Sequence, residues 1–248
     1  MRIRLLILTF LLLVAIPVHS IYFRQLGMED GLSHFSVISI YQDIHGRMWF
    51  GTHEGLSVYD GRQMQVYKPS SLSDKDTCNG YLAGNRVSVI TGDREGNIFF
   101  MADAALMRFD IKRQRFDVVK KKGIKALTSY EGNIWCILND SILTYNAESG
   151  KLDFRLKTNL RNITRLFVKN DQECWIGTRN GLYATTADGQ IRCLLPDLWI
   201  HSIYQSSKLE MWVSTWTEGL FRAASGESLH KVAYAPGTSL GIASKQVR

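Results

Sequence analysis

Residues 37–61 read Val37-Ile-Ser-Ile-Tyr-Gln-Asp-Ile-His-Gly-Arg-Met-Trp49-Phe-Gly-Thr-His-Glu-Gly-Leu56-Ser-Val-Tyr-Asp-Gly61. A short apolar run leads into a polar turn, an aromatic residue, a Gly-Thr-x-x-Gly-Leu step and a second turn. The pattern recurs along the chain in five copies, centred on aromatic residues that lie 36 to 50 residues apart: Trp49, Phe99, Trp135, Trp175 and Trp212. Repeats of about 40 residues made of short strands and tight turns are typical of β-propellers, in which each repeat forms one four-stranded blade.

Each copy contains four strand-like runs separated by turn residues. In the first copy the runs are residues 37–42, 47–51, 56–59 and 64–68. Glycine accepts a positive φ and aspartate bonds its own backbone, so the short polar segments between the runs favour tight turns. No stretch of the mature chain keeps the apolar spacing of a helix for three turns. The sequence therefore predicts an all-β fold, a β-propeller with blades near residues 37–68, 87–120, 124–156, 163–195 and 200–234.

The copies differ in how well they keep the Gly-Thr-x-x-Gly-Leu step. It is complete at Gly51–Leu56 and Gly177–Leu182, and Ser214–Leu220 keeps the threonine and the Gly-Leu pair with one residue added. The second copy, at Met101–Leu106, and the third, at Leu138–Leu143, lack the glycines, so we expect their middle turns to be built differently. The five aromatic residues hold equivalent second-strand positions, and we expect them to pack between adjacent sheets.

The first copy, preceded by Asp30-Gly31-Leu32-Ser33, resembles the two-component regulator propeller repeat. Residues 42–61 match nearly every position of that motif, and the resemblance runs from about Tyr22 to Arg248. It implies the periplasmic sensor region of a hybrid two-component system, as found in gut-dwelling Gram-negative bacteria. In that family two seven-bladed propellers precede a Y-shaped β domain, a transmembrane helix, a histidine kinase and a response regulator. The resemblance thus implies an oligosaccharide ligand, and we expect the full-length protein to be a homodimer.

Compared with that family pattern, the chain stops early. Residues 240–247 resemble the start of a sixth innermost strand. Residues 21–26 resemble an outermost strand of the kind that closes such a ring by completing its last blade. We therefore expect residues 21–248 to form a partial propeller, cut from a seven-bladed ring, with exposed sheet edges through which it self-associates.

Residues 1–20 have the features of a signal peptide. Met1–Arg4 is positively charged, Leu5–Ile16 is apolar, and Val18-His-Ser20 offers small residues for cleavage. The apolar run of about 12 residues is shorter than the roughly 20 that a membrane-spanning helix needs. We expect export to the periplasm, with membrane attachment in a later part of the full-length protein; an uncleaved anchor is the alternative.

Composition sets limits on the function. The net charge is +7, but the basic blocks Lys112-Arg113 and Lys120–Lys122 lie in predicted turns. Nucleic-acid binding would need a basic stripe with a recognition element, and the sequence contains none.

We expect the cysteines to be free thiols, because Cys174 and Cys193 would lie on the second and fourth strands of one blade, about 10 Å apart. No CxxC-type spacing predicts a metal site, and we expect no cofactor. The four cysteines are Cys78, Cys136, Cys174 and Cys193.

Propeller glycosidases and lyases carry carboxylates or His/Tyr pairs on their innermost strands, because acid/base cleavage needs two groups at a fixed separation. The predicted innermost strands contain no Asp or Glu. A single His201 beside an apolar position favours a structural role, and the aspartates of the turns are explained by capping of the backbone. We therefore expect that this chain is not an enzyme.

Binding is the function class that the topology favours. Connections between blades and between second and third strands emerge at one end of a propeller, here called the loop face. A sugar site needs an aromatic surface together with planar hydrogen-bonding groups. The predicted binding residues on this face are His53, Glu54, Tyr81, Arg179, Asn180, Trp199 and Trp216. The alternative is that Trp199 packs beneath a loop and Trp216 fills a joint between blades. For the whole chain, a ligand sensor and a scaffold for protein contacts both remain open.

Overall fold

The computed structural model describes residues 24–69 and 81–232. Its strands form five four-stranded antiparallel sheets, and in each sheet the strands lie in chain order. The all-β propeller prediction is therefore confirmed. The strands are, blade by blade from the innermost outward, β1 (Val37–Gln42), β2 (Met48–Thr52), β3 (Gly55–Tyr59) and β4 (Met64–Tyr67); β5 (Val87–Gly92), β6 (Ile98–Ala102), β7 (Ala105–Asp110) and β8 (Arg115–Lys120); β9 (Ile124–Tyr130), β10 (Asn133–Leu138), β11 (Ser141–Asn146) and β12 (Lys151–Lys157); β13 (Ile163–Asn170), β14 (Glu173–Thr178), β15 (Gly181–Thr185) and β16 (Ile191–Pro196); β17 (Ile200–Gln205), β18 (Met211–Thr215), β19 (Leu220–Ala223) and β20 (His230–Lys231).

The ends of the chain bear on two of the expectations. In the described part of the expected ring-closing strand at 21–26, residues 24–26 form no strand, and a 3-10 turn follows at Met28–Asp30. In blade 5 the outermost strand β20 covers His230–Lys231, and residues 233–234 of the expected blade lie outside the described residues. The expected signal peptide and the expected sixth innermost strand lie outside the described residues.

A β-bulge recurs at the second position of every innermost strand. In each strand one residue is inserted against the partner strand, so that the first and third residues pair with consecutive partners. A bulge bends the strand and redirects a side chain. The five inserted residues, all at the loop-face end, are Ile38, Ser88, Lys125, Thr164 and His201.

Buried clusters join each blade to the next. Trp49 is 1% exposed and contacts Phe109 of blade 2, with ring centroids 5.2 Å apart. Phe99 is fully buried and contacts Tyr145 of blade 3, with ring centroids 4.8 Å apart. Trp135 and Trp175 lie in the corresponding clusters between blades 3 and 4 and between blades 4 and 5. Apolar burial between consecutive sheets thus holds the described blades in sequence order.

Trp212 differs from the other four aromatic residues. It is half-buried, and its strand neighbours in the same row are Tyr204, which is 60% exposed, and Arg222. The Arg222 guanidinium lies 5.4 Å from the centroid of the indole ring. The buried cluster that joins blade 5 to blade 4 instead contains Met211 and Val213, the residues before and after Trp212 in β18. Trp212 therefore does not pack between two of the described sheets.

The Gly-Thr step has two physical roles. A Cβ atom on Gly51 would lie 2.6 Å from the carbonyl oxygen of Val87, so the glycine allows the innermost strand of blade 2 to approach closely. The hydroxyl of Thr52 donates to the carbonyl of Gly55 and accepts from the amide of Glu54, closing the turn between β2 and β3. The Thr178 and Thr215 hydroxyls make the same two bonds in blades 4 and 5.

Blades 2 and 3 build this turn with other residues, as the missing glycines indicated. Asp103 and Asn139 adopt left-handed φ values of 53° and 57° at the first turn position. Aspartate and asparagine accept this conformation better than other non-glycine residues. By strand register the step of the third copy begins at Ile137, one residue before the expected Leu138.

Two of the buried indoles are held by acidic residues. The Trp49 Nε1–H donates to Asp43 at 2.8 Å, and the Trp175 Nε1–H donates to Glu173 at 2.8 Å. Burial raises the pKa of Asp43, but hydrogen bonds from Trp49 and Arg47 outweigh it and hold the pKa below its usual value. Burial likewise raises the pKa of Glu173, and hydrogen bonds from Lys169 and Trp175 again lower it overall.

These carboxylates predict an acid-sensitive fold. A carboxylate whose pKa is lowered on folding adds stability above its unfolded pKa, about 3.9 for Asp and 4.3 for Glu. That contribution is lost as the pH falls through the lower, folded pKa. Urea unfolding between pH 7 and pH 3 should therefore show a loss of stability beginning near pH 4. The variant Asp43→Asn/Glu173→Gln should be less stable at pH 7 and show a shallower acid dependence; an equal slope would contradict the assignment.

Candidate functional site

The five middle turns and the five connections that precede the innermost strands are tied together. In each blade the first turn residue after the threonine position donates its backbone N–H to the carbonyl of the residue just before the innermost strand. The pairs are His53 with Ser36, Asp103 with Arg86, Asn139 with Gly123, Arg179 with Asn162, and Trp216 with Trp199, at 2.8 to 3.3 Å. Both kinds of loop therefore share the loop face, and each pair places a turn side chain beside a connection.

In blade 5 this pairing builds an aromatic stack. The rings of Trp199 and Trp216 are stacked, with centroids 5.1 Å apart and planes inclined by 21°. The Arg179 guanidinium, from the neighbouring turn of blade 4, lies 4.9 Å from the Trp199 centroid. His201, the bulge residue of β17, contacts Trp216 with centroids 5.9 Å apart. These four side chains are called the Trp199 stack below.

The stack lies at the protein surface. Trp199 is 37% exposed, Arg179 is exposed, and Trp216 and His201 are half-buried. Cation–π contact with an arginine and stacking on a second indole stabilise the Trp199 ring in one orientation. The structure therefore places three of the predicted binding residues, Trp199, Trp216 and Arg179, side by side at the surface, and whether they bind a ligand stays a prediction.

A pocket of about 590 Å³ adjoins the stack between blades 3 and 4. Arg179 belongs to both features, since it covers Trp199 and also lines the pocket. The pocket contains more positive than negative side chains, together with two asparagine amides. Its lining consists of Lys125, Asn139, Asp140, Leu160, Arg161, Asn162, Ile163, Thr164 and Arg179.

The other expected binding residues lie elsewhere on the loop face. Asn180 follows Arg179 and is exposed, and its carbonyl accepts from the amide of Asp197. His53 and Glu54 belong to the middle turn of blade 1, where the His53 ring lies 6.0 Å from that of His34. Tyr81, before blade 2, is 49% exposed. His53, Glu54 and Tyr81 belong neither to the Trp199 stack nor to the lining of the pocket beside it.

Sequence reasoning missed several residues of the pocket and one residue of the Trp199 stack. Lys125 and Thr164 occupy the bulge position of β9 and β13, and His201, which was given a structural role, occupies it in β17. Arg161 and Asn162 lie in the connection between blades 3 and 4. A comparison of the second residue of each innermost strand would have pointed to Lys125, Thr164 and His201, since polar residues at that position interrupt an apolar strand pattern.

The described cysteines are free thiols without a metal site. Cys136 and Cys174 are buried free thiols and Cys193 is an exposed one, while Cys78 lies outside those ranges. Burial raises the pKa of Cys136 to about 12 and that of Cys174 to about 11, so neither thiol ionises at neutral pH. Across residues 24–69 and 81–232 no group of three His, Cys, Asp or Glu side chains is placed to hold a metal ion. Over the same residues no helix is long and apolar enough to cross a membrane.

Comparison with known proteins connects the repeat to signalling proteins. A family model named two component regulator propeller matches residues 31–54. Histidine kinase P4 of Formosa agariphila is 44% identical over 46 residues, which are 18% of this chain and 3% of that protein. The chain therefore spans only a small part of this curated relative.

The fold resembles several solved propellers. One is the extracellular domain of a hybrid two component system of B. thetaiotaomicron, with a TM-score of 0.61 and 18% identity over 90% of this chain and 38% of that one. Another is virginiamycin B lyase from Staphylococcus aureus, with a TM-score of 0.62 and 14% identity over 82% of this chain and 71% of that one. Such low identities establish a shared fold only. The chain is thus a β-propeller, and within it residues 31–54 match the two component regulator propeller model.

Proposed function

We propose that this chain is the periplasmic sensor propeller of a two-component regulator and that it binds an oligosaccharide at the Trp199 stack. The observation that carries the proposal is the surface stack of Trp199, Trp216 and Arg179 beside a polar pocket. The repeat match and the histidine kinase relative support the signalling context. In that context the partners are the rest of the same polypeptide, including a kinase, and a second copy in a homodimer.

The stack and pocket suit a sugar because they combine two kinds of surface. Tryptophan provides a large apolar area that keeps its orientation, which a sugar ring can cover with its C–H groups. The amides of Asn139 and Asn162 in the adjoining pocket can both donate to and accept from hydroxyls. Loops mounted on a rigid scaffold are the usual place for such a site.

Binding at this site predicts a specific loss in a Trp216 variant. Trp216→Ala should weaken oligosaccharide binding at least tenfold, about 1.4 kcal/mol, because the stacked partner that orients Trp199 is lost. The melting temperature should change little, since Trp216 is only half-buried. Calorimetry against an oligosaccharide panel measures the first quantity, and thermal unfolding measures the second. The control is Trp212→Ala, another half-buried tryptophan of blade 5 outside the stack; unchanged binding with a large loss of stability in Trp216→Ala would assign Trp216 to packing.

A scaffold for protein contacts is the second candidate, and an observation favours it. Ile40 of β1 and Tyr204 of β17 are each 60% exposed, and Phe35 is 77% exposed. Exposed apolar side chains on the first and last described blades suit contact with another protein surface. If the propeller served only as a scaffold, the oligosaccharide panel would give no binding that depends on Trp216.

Catalysis is the third possibility, since a lyase shares the fold. We infer that this chain is not an enzyme, because the innermost strands β1, β5, β9, β13 and β17 contain no Asp or Glu. The oligosaccharide panel also tests this inference, because a cleaved oligosaccharide in the binding assay would contradict it.

A further inference from the structure

The pocket beside the Trp199 stack is positively charged. Lys125, Arg161 and Arg179 reach it from three different segments: the bulge of β9, the connection between blades 3 and 4, and the middle turn of blade 4. Among the described residues that line the pocket, Asp140 is the only acidic one, and its carboxylate lies 3.9 Å from the ammonium group of Lys157. The positive charge of the three basic side chains therefore exceeds the single negative charge of Asp140, and the pocket carries a net positive charge.

Further positive charge lies next to the pocket, near the propeller axis. Arg165 follows Thr164 on β13, and its guanidinium donates to the Thr164 carbonyl at 2.8 Å. Surrounding protein removes part of the water around the Arg165 guanidinium and lowers its pKa, although the residue is exposed, and the nearby charge of Arg86, from blade 2, lowers the pKa further. Two guanidinium groups that repel each other increase the attraction of this region for an anion.

Two asparagines complete the pocket with fixed amide groups. Asn139 and Asn162 both have left-handed φ values, of 57° and 54°. The backbone N–H of Asn139 and the carbonyl of Asn162 each take part in the loop-face hydrogen bonds. The backbone that carries these amides is therefore held in place, which favours selective binding of polar groups.

We propose that this pocket binds the carboxylate or sulfate group of an acidic oligosaccharide, whose adjacent sugar ring contacts Trp199. The proposal rests on the proposed function and narrows its ligand to anionic glycans. Carboxylate and sulfate share the chemistry that Lys125, Arg161 and Arg179 recognise, since both accept charge-assisted hydrogen bonds from ammonium and guanidinium groups.

Arg179 links the two halves of the site. Its guanidinium covers one face of Trp199, and Trp216 stacks on the same indole. A bidentate arginine–anion pair is stronger than an exposed cation–π contact, so an anion in the pocket draws Arg179 away from the ring. The uncovered indole face then becomes available to the next sugar of the same ligand. Acidic oligosaccharides should accordingly change the tryptophan fluorescence, and Arg179→Gln should abolish that change.

The test compares matched acidic and neutral oligosaccharides. The protein is screened on a glycan array, and binding of each hit is measured by calorimetry at fixed salt. The defined probes are trigalacturonate, its methyl ester, a sulfated galactan oligosaccharide and the same oligosaccharide without sulfate. Lys125→Ala/Arg161→Ala removes two basic side chains from the pocket, and both residues are exposed. Lys112→Ala/Arg113→Ala removes the same charge from the β7–β8 turn, at the opposite end of the blade. Thermal unfolding checks that both variants fold.

We expect acidic oligosaccharides of the array to bind. Lys125→Ala/Arg161→Ala should weaken this binding at least tenfold, whereas Lys112→Ala/Arg113→Ala should leave it unchanged. Preference for trigalacturonate indicates a carboxylate, and preference for the sulfated probe indicates a sulfate. Equal losses in both double variants would show non-specific attraction and overturn the proposal. Neutral hits that depend on Trp216 would overturn the acidic specificity but keep the proposed function. An array without any hit would reject both.

Discussion

Replacing Trp49 by alanine is expected to lower the free energy of unfolding by about 3–5 kcal/mol, the range for truncating a large buried aromatic side chain. Trp49 is 1% exposed and packs against Phe109 across the joint between blades 1 and 2. Its Nε1–H also donates to Asp43. Alanine therefore leaves a cavity at a blade joint and removes a donor from a buried carboxylate. Urea unfolding followed by far-UV circular dichroism measures the change.

Two control variants separate these contributions. Trp49→Phe keeps an aromatic ring in the joint but lacks the Nε1–H, so it should cost about 1–3 kcal/mol through the lost hydrogen bond. Trp199→Ala removes an indole that is 37% exposed and should change stability by less than about 1 kcal/mol. A Trp199→Ala loss as large as that of Trp49→Ala would contradict the distinction between joint residues and loop-face residues.

Replacing Gly51 by valine should destabilise the same joint by about 1–3 kcal/mol or more, as expected for an overpacked contact. A Cβ atom at this position lies 2.6 Å from the carbonyl oxygen of Val87 and 3.0 Å from its Cγ1 atom. The closest atom belongs to the backbone, so a side-chain rotation cannot relieve the clash. Blades 1 and 2 must separate to accept the substitution.

A second substitution tests this reason. If the backbone oxygen is the obstacle, adding Val87→Ala to Gly51→Val should leave the destabilisation in place, because only the 3.0 Å side-chain contact is removed. A double-mutant cycle measured by urea unfolding gives the coupling between the two positions. Substantial rescue by Val87→Ala would assign the clash to the side chain instead.

Most of the fold could be predicted from the sequence because its signals are local. Asp43 and Gly46 act within one turn, the Asp43 side chain accepting from the amides of His45 and Arg47. The alternation of apolar and polar residues, together with such turns, determines where strands begin and end. For β1 the predicted and observed bounds are the same, for β3 and β4 they differ by one residue at one end, and β2 is shifted by one residue at both ends.

The role of each aromatic residue depended on the neighbouring blade. Trp49 and Trp212 occupy equivalent positions in equivalent repeats, yet Trp49 is 1% exposed and Trp212 is half-buried. A repeat motif describes one blade, whereas burial requires the surface of a second blade packed against it. The same limit applies to Gly51, whose close approach to Val87 joins residues of two repeats.

The sequence by itself determined the repeat, the four strands of each blade, the turns between them and the end of the propeller at which the loops gather. Those features follow from hydrogen bonding and side-chain alternation within some 40 residues. Only the tertiary structure decided which loop residues lie together. Arg179, Trp199 and Trp216 meet because two adjacent blades pack side by side, while His53 and Tyr81, equally polar or aromatic in the sequence, lie in the middle turn of blade 1 and before blade 2 and are not part of the stack. Distances between loops are determined by how sheets pack around an axis, and no local pattern encodes them.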